Sequence, residues 1–346
     1  MKNSSFMLLI TVILFVVVFT TACGKKEEKE EVPKKETDYL VLVNKYSKLP
    51  DEWEPNVELV NTKNAWNEDI QVEKKAYENY KKLKKALEKE GITIELDSVY
   101  RSVKEQQELW DNWTKEKGID YVKKYVAVPG YSEHHTGLAI DICIKKDGQL
   151  IAENEDMIAE REIFSKIHKK LADYGFILRY LEGKDDITGY AYEPWHLRYV
   201  GNTEIAKEIM DNNLTFEEYL GSVTSLENNT SAAKYQIEVA LQNLFKEVYG
   251  DQISNARFNV KKVYSTKEVE ESAILQKSKI GKNDVAFEVE YELMPSEGVD
   301  PNTLTIPNGK YDAESGWVKD ISRVGILRLN DSGEPKYKIS NFGTGF

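Results

Sequence analysis

Two short segments, Tyr131 to Ile144 (YSEHHTGLAIDICI) and Glu193 to Tyr199 (EPWHLRY), constrain this chain more than any other part of it. The sequence has 4 histidines, His134, His135, His168 and His196, and all but His168 lie in these segments. After the Ser-Glu-His-His-Thr-Gly loop the residues alternate, and a pleated strand sends successive side chains to opposite faces. Leu138, Ile140, Ile142 and Ile144 are therefore expected to face a core, and Ala139, Asp141 and Cys143 the other side, with His134 at the mouth of the strand. The second segment puts Trp195, Leu197 and Tyr199 on one face and His196 and Arg198 on the other, with Glu193 just before Pro194. Two imidazoles and a carboxylate suit a borderline-soft divalent ion, and a catalytic zinc site takes three protein ligands and keeps one position open. His134, Asp141 and His196 are the expected ligands of one zinc ion. Glu193 is placed to take the proton of an attacking water. His135 reads as a loop neighbour of a ligand and His168 as part of the exposed face of a helix.

The order Ser132-x-His134-x-x-Gly137-x-Ala139-x-Asp141, followed by Glu193-Pro-Trp-His196, resembles the zinc D-Ala-D-Ala carboxypeptidases of the vancomycin-resistance (VanY) type. Ser98-Val-Tyr100-Arg101-Ser102 with Gln106, Tyr174-Gly-Phe-Ile-Leu-Arg179-Tyr180 and the run from Asp186 into Glu193 match as well, so the resemblance covers roughly residues 39 to 220. It implies a small α+β fold with a central antiparallel sheet flanked by helices, one zinc ion, and removal of the terminal D-alanine from peptidoglycan stem peptides. It also implies that Arg101 meets the substrate and the charge that develops during attack, and guanidinium does hold a terminal carboxylate with two parallel hydrogen bonds. Gln106, Ser132 and Tyr100 are further candidates for substrate contact. Val99 stands where the family commonly has Gly, so the turn that aims Arg101 is expected to differ. An L,D-carboxypeptidase or an endopeptidase with the same site is the alternative among enzymes. A non-catalytic peptidoglycan-binding lipoprotein is the alternative outside them, and the complete ligand set beside Glu193 argues against it.

The setting follows from the rest of the chain. A net charge of −12 argues against nucleic acid, whose phosphates need clustered Lys and Arg, and does not favour anionic lipid. Lys2, an apolar run from Phe6 to Phe19 broken only by Thr11, and Thr-Thr-Ala-Cys23 have the order of an export signal and resemble that of a bacterial lipoprotein. Residues 1–23 are thus expected to be a signal, Cys23 a lipidated residue that anchors the protein outside the cell membrane, and 24–38 a charged flexible tether. Cys143 is the other cysteine and reads as a small buried hydrophobe.

With 346 residues, 41% of them hydrophobic, the chain can build two cores. Periodicity predicts a strand over Leu40–Val43, a helix over Val72–Lys89 with Ala76, Tyr80, Leu83 and Leu87 inward, a strand to Leu96 and a helix over Val103–Lys117. A helix stopped at Gly175, a strand to Tyr180, and helices over Thr203–Asn212 and Phe216–Leu220 complete a peptidase domain over 39–220. The run GSVTSLENNTSA within 221–233 reads as a linker. Residues 234–346 are expected to form a second α+β domain of unknown role, one helix on a curved antiparallel sheet in the manner of cystatin-like or NTF2-like folds. A monomer is expected.

Overall fold

The computed structural model describes residues 37–344, apart from 52, 120–121, 123–125, 224–225, 227–228, 273–274, 277, 279, 282, 305 and 331–335. The expected signal, Cys23 and nearly all of the tether lie outside the described residues. Among the described residues no helix is long and apolar enough to cross a membrane.

The short helix α1 (Trp53–Asn56) is followed by a hairpin of β1 (Leu59–Lys63) and β2 (Asp69–Glu73). Glu73 then caps α2 (Lys74–Glu88) by accepting from the Ala76 amide, and Ala76, Tyr80, Leu83 and Leu87 are buried along one stripe, as their spacing requires. After β3 (Thr93–Leu96), a capping box of Ser102 and Glu105 starts α3 (Val103–Lys117). The remaining elements of this half are β4 (Ala139–Lys146), β5 (Gln149–Ile151), α4 (Asn154–Ala159), α5 (Arg161–Leu171), β6 (Phe176–Leu178), α6 (Asp185–Thr188) and β7 (His196–Tyr199). The strands form an antiparallel sheet in the order β3-β4-β7-β6, with β5 also paired to β4. Leu138, Ile140, Ile142, Ile144 and Leu197 share one core with the inner faces of α2 and α5. The opposite face is left to Asp141 and His196.

The second half contains α7 (Thr203–Asp211), α8 (Phe216–Ser222), α9 (Thr230–Tyr249), β8 (Ile253–Val263), α10 (Thr266–Glu271), β9 (Val285–Pro295), β10 (Lys310–Asp312), β11 (Trp317–Leu329) and β12 (Tyr337–Gly343). Its strands make a second antiparallel sheet, β10-β11-β9-β8 with β12 also paired to β11, and α9 lays Ile237, Leu241 and Phe245 on it. The α+β class is as expected; the C-terminal sheet carries the one long helix that was expected, α9, with the short α10 in addition. Val248, which the helical spacing of Ile237, Leu241 and Phe245 would group with the inner stripe of α9, is 57% exposed, and its neighbour Tyr249 packs on the core in its place.

Three local expectations fail for physical reasons. Leu40–Val43 is not a strand: its backbone is held from the side, with the Tyr39 and Val41 carbonyls accepting from the Arg198 guanidinium at 3.0 and 2.7 Å. The β1–β2 hairpin was not anticipated, since its faces are mostly polar and half-exposed; its signal is Asn67, which takes a φ of 66° in the turn. The polar run expected as a linker is helical from Thr230, and its small residues Ser231, Ala232 and Ala233 are buried against the core.

That second core also takes in Ile177, Val200, Ile209, Phe216 and Leu220, so the sheet of β3 to β7 and the C-terminal sheet share apolar packing. The edge strand β8 is covered by a parallel bridge from Ser47 to Phe258. Beside it, the Ser47 hydroxyl binds the buried carboxyl of Glu238 on α9. Burial pushes the Glu238 pKa up to about 8 from 4.5, with Ser47 and Lys234 opposing weakly. The folded protein therefore keeps a proton that the unfolded chain releases, so this residue's contribution is full below 4.5 and is lost as pH rises towards about 8. Glu238→Gln is expected to flatten that part of the pH dependence and to leave the variant more resistant to urea than the parent at the alkaline end.

Candidate active site

The register of β4 on β7 sets Asp141 directly opposite His196. Cross-strand partners project from the same face, so strand pairing alone brings two of the three expected ligands together. His134 comes from the 3₁₀ turn Glu133–Thr136, which closes on Gly137 at φ 70° before β4 begins. A Cβ at Gly137 would strain that left-handed turn and stand 3.0 Å from Leu59 Cδ2 and 3.2 Å from the Glu73 amide nitrogen.

Ligand atoms of His134, Asp141 and His196 lie within 4.8 Å of one another. His134 Nε2 is 3.2 Å from Asp141 Oδ2, and His196 Nδ1 is 3.0 Å from Asp141 Oδ1. Asp141 Oδ1 is nevertheless buried without a hydrogen bond. The far nitrogens fix the tautomers. His134 Nδ1 lies 2.7 Å from the Val99 carbonyl, which only accepts, so Nδ1 carries the hydrogen and the Nε2 lone pair faces Asp141. His196 Nε2 lies 3.1 Å from the Glu133 carboxylate and donates to it, which leaves Nδ1 as the nitrogen that faces Asp141. Two ring nitrogens and an orphaned carboxylate oxygen thus converge on one point, which is the donor set and outer support that zinc takes.

The charges agree with this. Burial alone would raise the Asp141 pKa, but His134 and His196 outweigh it and hold the carboxyl far below its usual range. Burial alone would lower that of His196, but Asp141 and Glu133 push it up to about 10. The spot calls for a positive charge.

Glu193 stands at its rim, with Oε2 3.5 Å from His196 Nδ1. Burial raises its pKa to about 7, with Asp141 and Glu133 adding and His196 opposing. A carboxyl poised there exchanges protons with water readily. A cavity of about 320 Å³ opens from this point and is lined by Arg101, Ser132, Tyr180, Tyr190 and Trp195 among others.

Arg101 Nη1 donates to Gln106 Oε1 at 2.8 Å and Nη2 to Ser98 Oγ at 3.2 Å, which aims the guanidinium across the cavity wall. Gln106, expected to reach the substrate, is occupied at both ends: its amide nitrogen donates to the Ala127 carbonyl at 2.7 Å, so it braces Arg101. Ser132 is on the wall. Tyr100 is not among the lining residues; its hydroxyl donates to Glu54 at 3.2 Å, on the side of α1. Val99, the departure noted in the sequence, is buried and supplies the carbonyl that orients His134.

The two remaining histidines are more engaged than expected. His135 is fully buried: Gly130 N donates to its Nε2, and its Nδ1 donates to the Arg101 carbonyl at 2.6 Å, joining the Arg101 turn to the 3₁₀ turn. His168 is part-buried, with Nε2 2.9 Å from the carbonyl of Pro194, the residue after Glu193; burial lowers its pKa, so a neutral ring donates. Cys143 is a buried thiol with its pKa pushed up to about 12, as a structural residue would be.

Sequence reasoning missed Glu133, Arg198 and Glu217, and gave Arg179 only as part of a motif. Glu133 Oε1 accepts from Arg179 Nε at 2.8 Å and from Arg198 Nη1 at 2.7 Å, and Arg179 forks onto Glu217 at 2.6 and 2.9 Å. All four are buried, two of each sign. The available signal was an arginine directly after the apolar strand β6, at Arg179, and another within the short strand β7, at Arg198.

Paired imidazoles and a carboxylate beside a poised carboxyl, at the head of a cavity with a guanidinium in its wall, define a hydrolase site, and the comparisons say which kind. Residues 69–202 match the family model "VanY: D-alanyl-D-alanine carboxypeptidase". A putative carboxypeptidase of Bacillus subtilis, YodJ, is 39% identical over 200 residues, 57% of this chain and 72% of that protein. The bifunctional D-Ala-D-Ala dipeptidase and carboxypeptidase VanXYC of Enterococcus gallinarum is 42% identical over 155 residues, 44% of this chain and 78% of that one. Among solved structures, the LdcB LD-carboxypeptidase is 39% identical, with a TM-score of 0.48, covering 54% of this chain and 86% of the other. The chain belongs to the VanY family of D-alanyl-D-alanine carboxypeptidases.

Proposed function

We propose that this chain is a zinc-dependent D-alanyl-D-alanine carboxypeptidase that removes the terminal D-alanine from peptidoglycan stem peptides. The observation that carries the reading is the convergence of His134 Nε2, Asp141 and His196 Nδ1 beside Glu193, in a cavity that Arg101 lines. His134, Asp141 and His196 would hold one zinc ion, which when bound supplies a Lewis acid for the scissile carbonyl and lowers the pKa of a water towards about 7. Arg101 takes the free carboxylate of the substrate and faces the oxygen on which charge develops. Glu193 accepts a proton as the water oxygen bonds to the carbonyl carbon. The same carboxyl then gives the proton to the nitrogen of the departing D-alanine as the C–N bond breaks. Apart from the proton that Glu193 carries, every covalent change takes place in substrate and water, so no acyl-enzyme is required.

The test is mass spectrometry of pentapeptide and tetrapeptide muropeptides incubated with the protein, with and without a chelator. Loss of one alanine from the pentapeptide, abolished by chelator and restored by zinc, is the expected result. Trimming of the tetrapeptide alone would replace the reading with an L,D-carboxypeptidase, and no release from either would overturn it.

The proposal places the chemistry in residues 39–220 and an accessory role in 234–346, on a protein exported and held to the outer face of the membrane by lipid on Cys23. Cys23→Ser is expected to move the protein from the membrane fraction to the medium. Retention of that variant with the membranes would remove the lipid anchor from the proposal.

A further inference from the structure

An imidazole can ligate through either nitrogen, and β-strand pairing does not choose between them. For His196 the choice is made on the far side of the ring. Nε2 lies 3.1 Å from Glu133 Oε2, and the other oxygen of that carboxylate is taken by Arg179 and Arg198 at 2.8 and 2.7 Å. A carboxylate held by two guanidiniums is ionised and only accepts, so the imidazole hydrogen must sit on Nε2. Arg179 is in turn gripped by both oxygens of Glu217 on α8, and Asn44 Nδ2 donates to Glu217 at 3.1 Å. The chain of contacts runs from Asn44 through Glu217, Arg179 and Glu133 to the ring, and every one of these side chains is buried.

We infer that Glu133 is a positioning residue that fixes His196 as an Nδ1 donor and strengthens it as a ligand, and that Arg179, anchored on Glu217, holds Glu133 in that pose. The inference rests on the reading of His134, Asp141 and His196 as a zinc site. Outer carboxylates of this kind orient a ligating histidine and raise its basicity, and their loss typically weakens metal binding about 10–100-fold.

The experiment measures zinc affinity of the purified full-length protein by competition with a chromophoric chelator, and the visible absorption of the cobalt(II)-loaded protein, for the parent, Glu133→Gln, Glu133→Asp and Glu217→Gln. Circular dichroism reports whether each variant is folded. Glu133→Gln is expected to bind zinc about 10–100-fold more weakly, with a shifted cobalt spectrum. Glu133→Asp keeps the charge that the two arginines need but draws it back from the ring, so it is expected to fold and still to lose affinity. Glu217→Gln is expected to lose less, in the same direction. A parent that binds no zinc would remove the metal site itself. A parent that binds zinc, with either folded Glu133 variant matching it in affinity and cobalt spectrum, would overturn the inference alone, and if Glu133→Gln does not fold, Glu133→Asp decides.

Discussion

Glu193→Gln is expected to lower kcat by about 10²–10⁴-fold while one zinc per chain is retained, because the change removes a proton acceptor and little else. Glutamine has the shape of glutamate and fills the same place beside His196, but its amide cannot take a proton from water. The loss should fall on kcat more than on KM, since Arg101 is held by Gln106 and Ser98 and has no tie to Glu193. Elemental analysis should show unchanged zinc, because the three converging donors are His134, Asp141 and His196. The result also separates two jobs open to a carboxyl at this spot. If Glu193 were a fourth ligand, the variant would lose zinc and activity together; if it were neither base nor ligand, D-alanine would be released at the parental rate. Only retained metal with lost turnover fits a base.

What could be read from the sequence follows from how local each feature is. Alternation from Leu138 to Ile144 and from Trp195 to Tyr199 assigns faces to two strands without knowledge of the fold, and strand register then sets Asp141 against His196. The stripe of Ala76, Tyr80, Leu83 and Leu87 is equally local, and α2 buries all four. The fate of Gln106 and Tyr100 was not legible, because each is decided by a partner from a distant segment: the Ala127 carbonyl for one, Glu54 for the other. Glu133 illustrates the same limit at close range. It sits between Ser132 and His134 and looks like any loop acid, yet its partners Arg179, Arg198 and His196 come from two other strand segments. His168 was read as exposed from its helical phase alone, and the strand end at Pro194 that covers it could not be placed from sequence.

Arg179→Met is expected to destabilise the folded state by about 3–5 kcal/mol, the typical cost of stripping one partner from a buried ion pair. Arg179 bridges two carboxylates in a site closed to water, with Glu133 at 2.8 Å and Glu217 at 2.6 Å and its own side chain at 0% exposure. Methionine fills much of the volume but leaves Glu217 with Asn44 as its remaining side-chain partner and Glu133 with Arg198 and His196. Three buried charges then replace a balanced four, and the uncompensated one is negative. A lowered midpoint in urea at unchanged slope would be the measurement. Arg161→Met is the control, because Arg161 also forks onto a carboxylate, Glu182, at 2.8 and 2.9 Å, but both side chains are at least 60% exposed. Water already solvates those charges, so that change should have little measurable effect, and geometry alone would wrongly rank the two pairs as equal. The double variant Arg179→Met with Glu217→Met removes one charge of each sign and is expected to recover part of the loss. If it is instead as unstable as the sum of its parts, the penalty lies in packing around α8 and not in an unpaired charge.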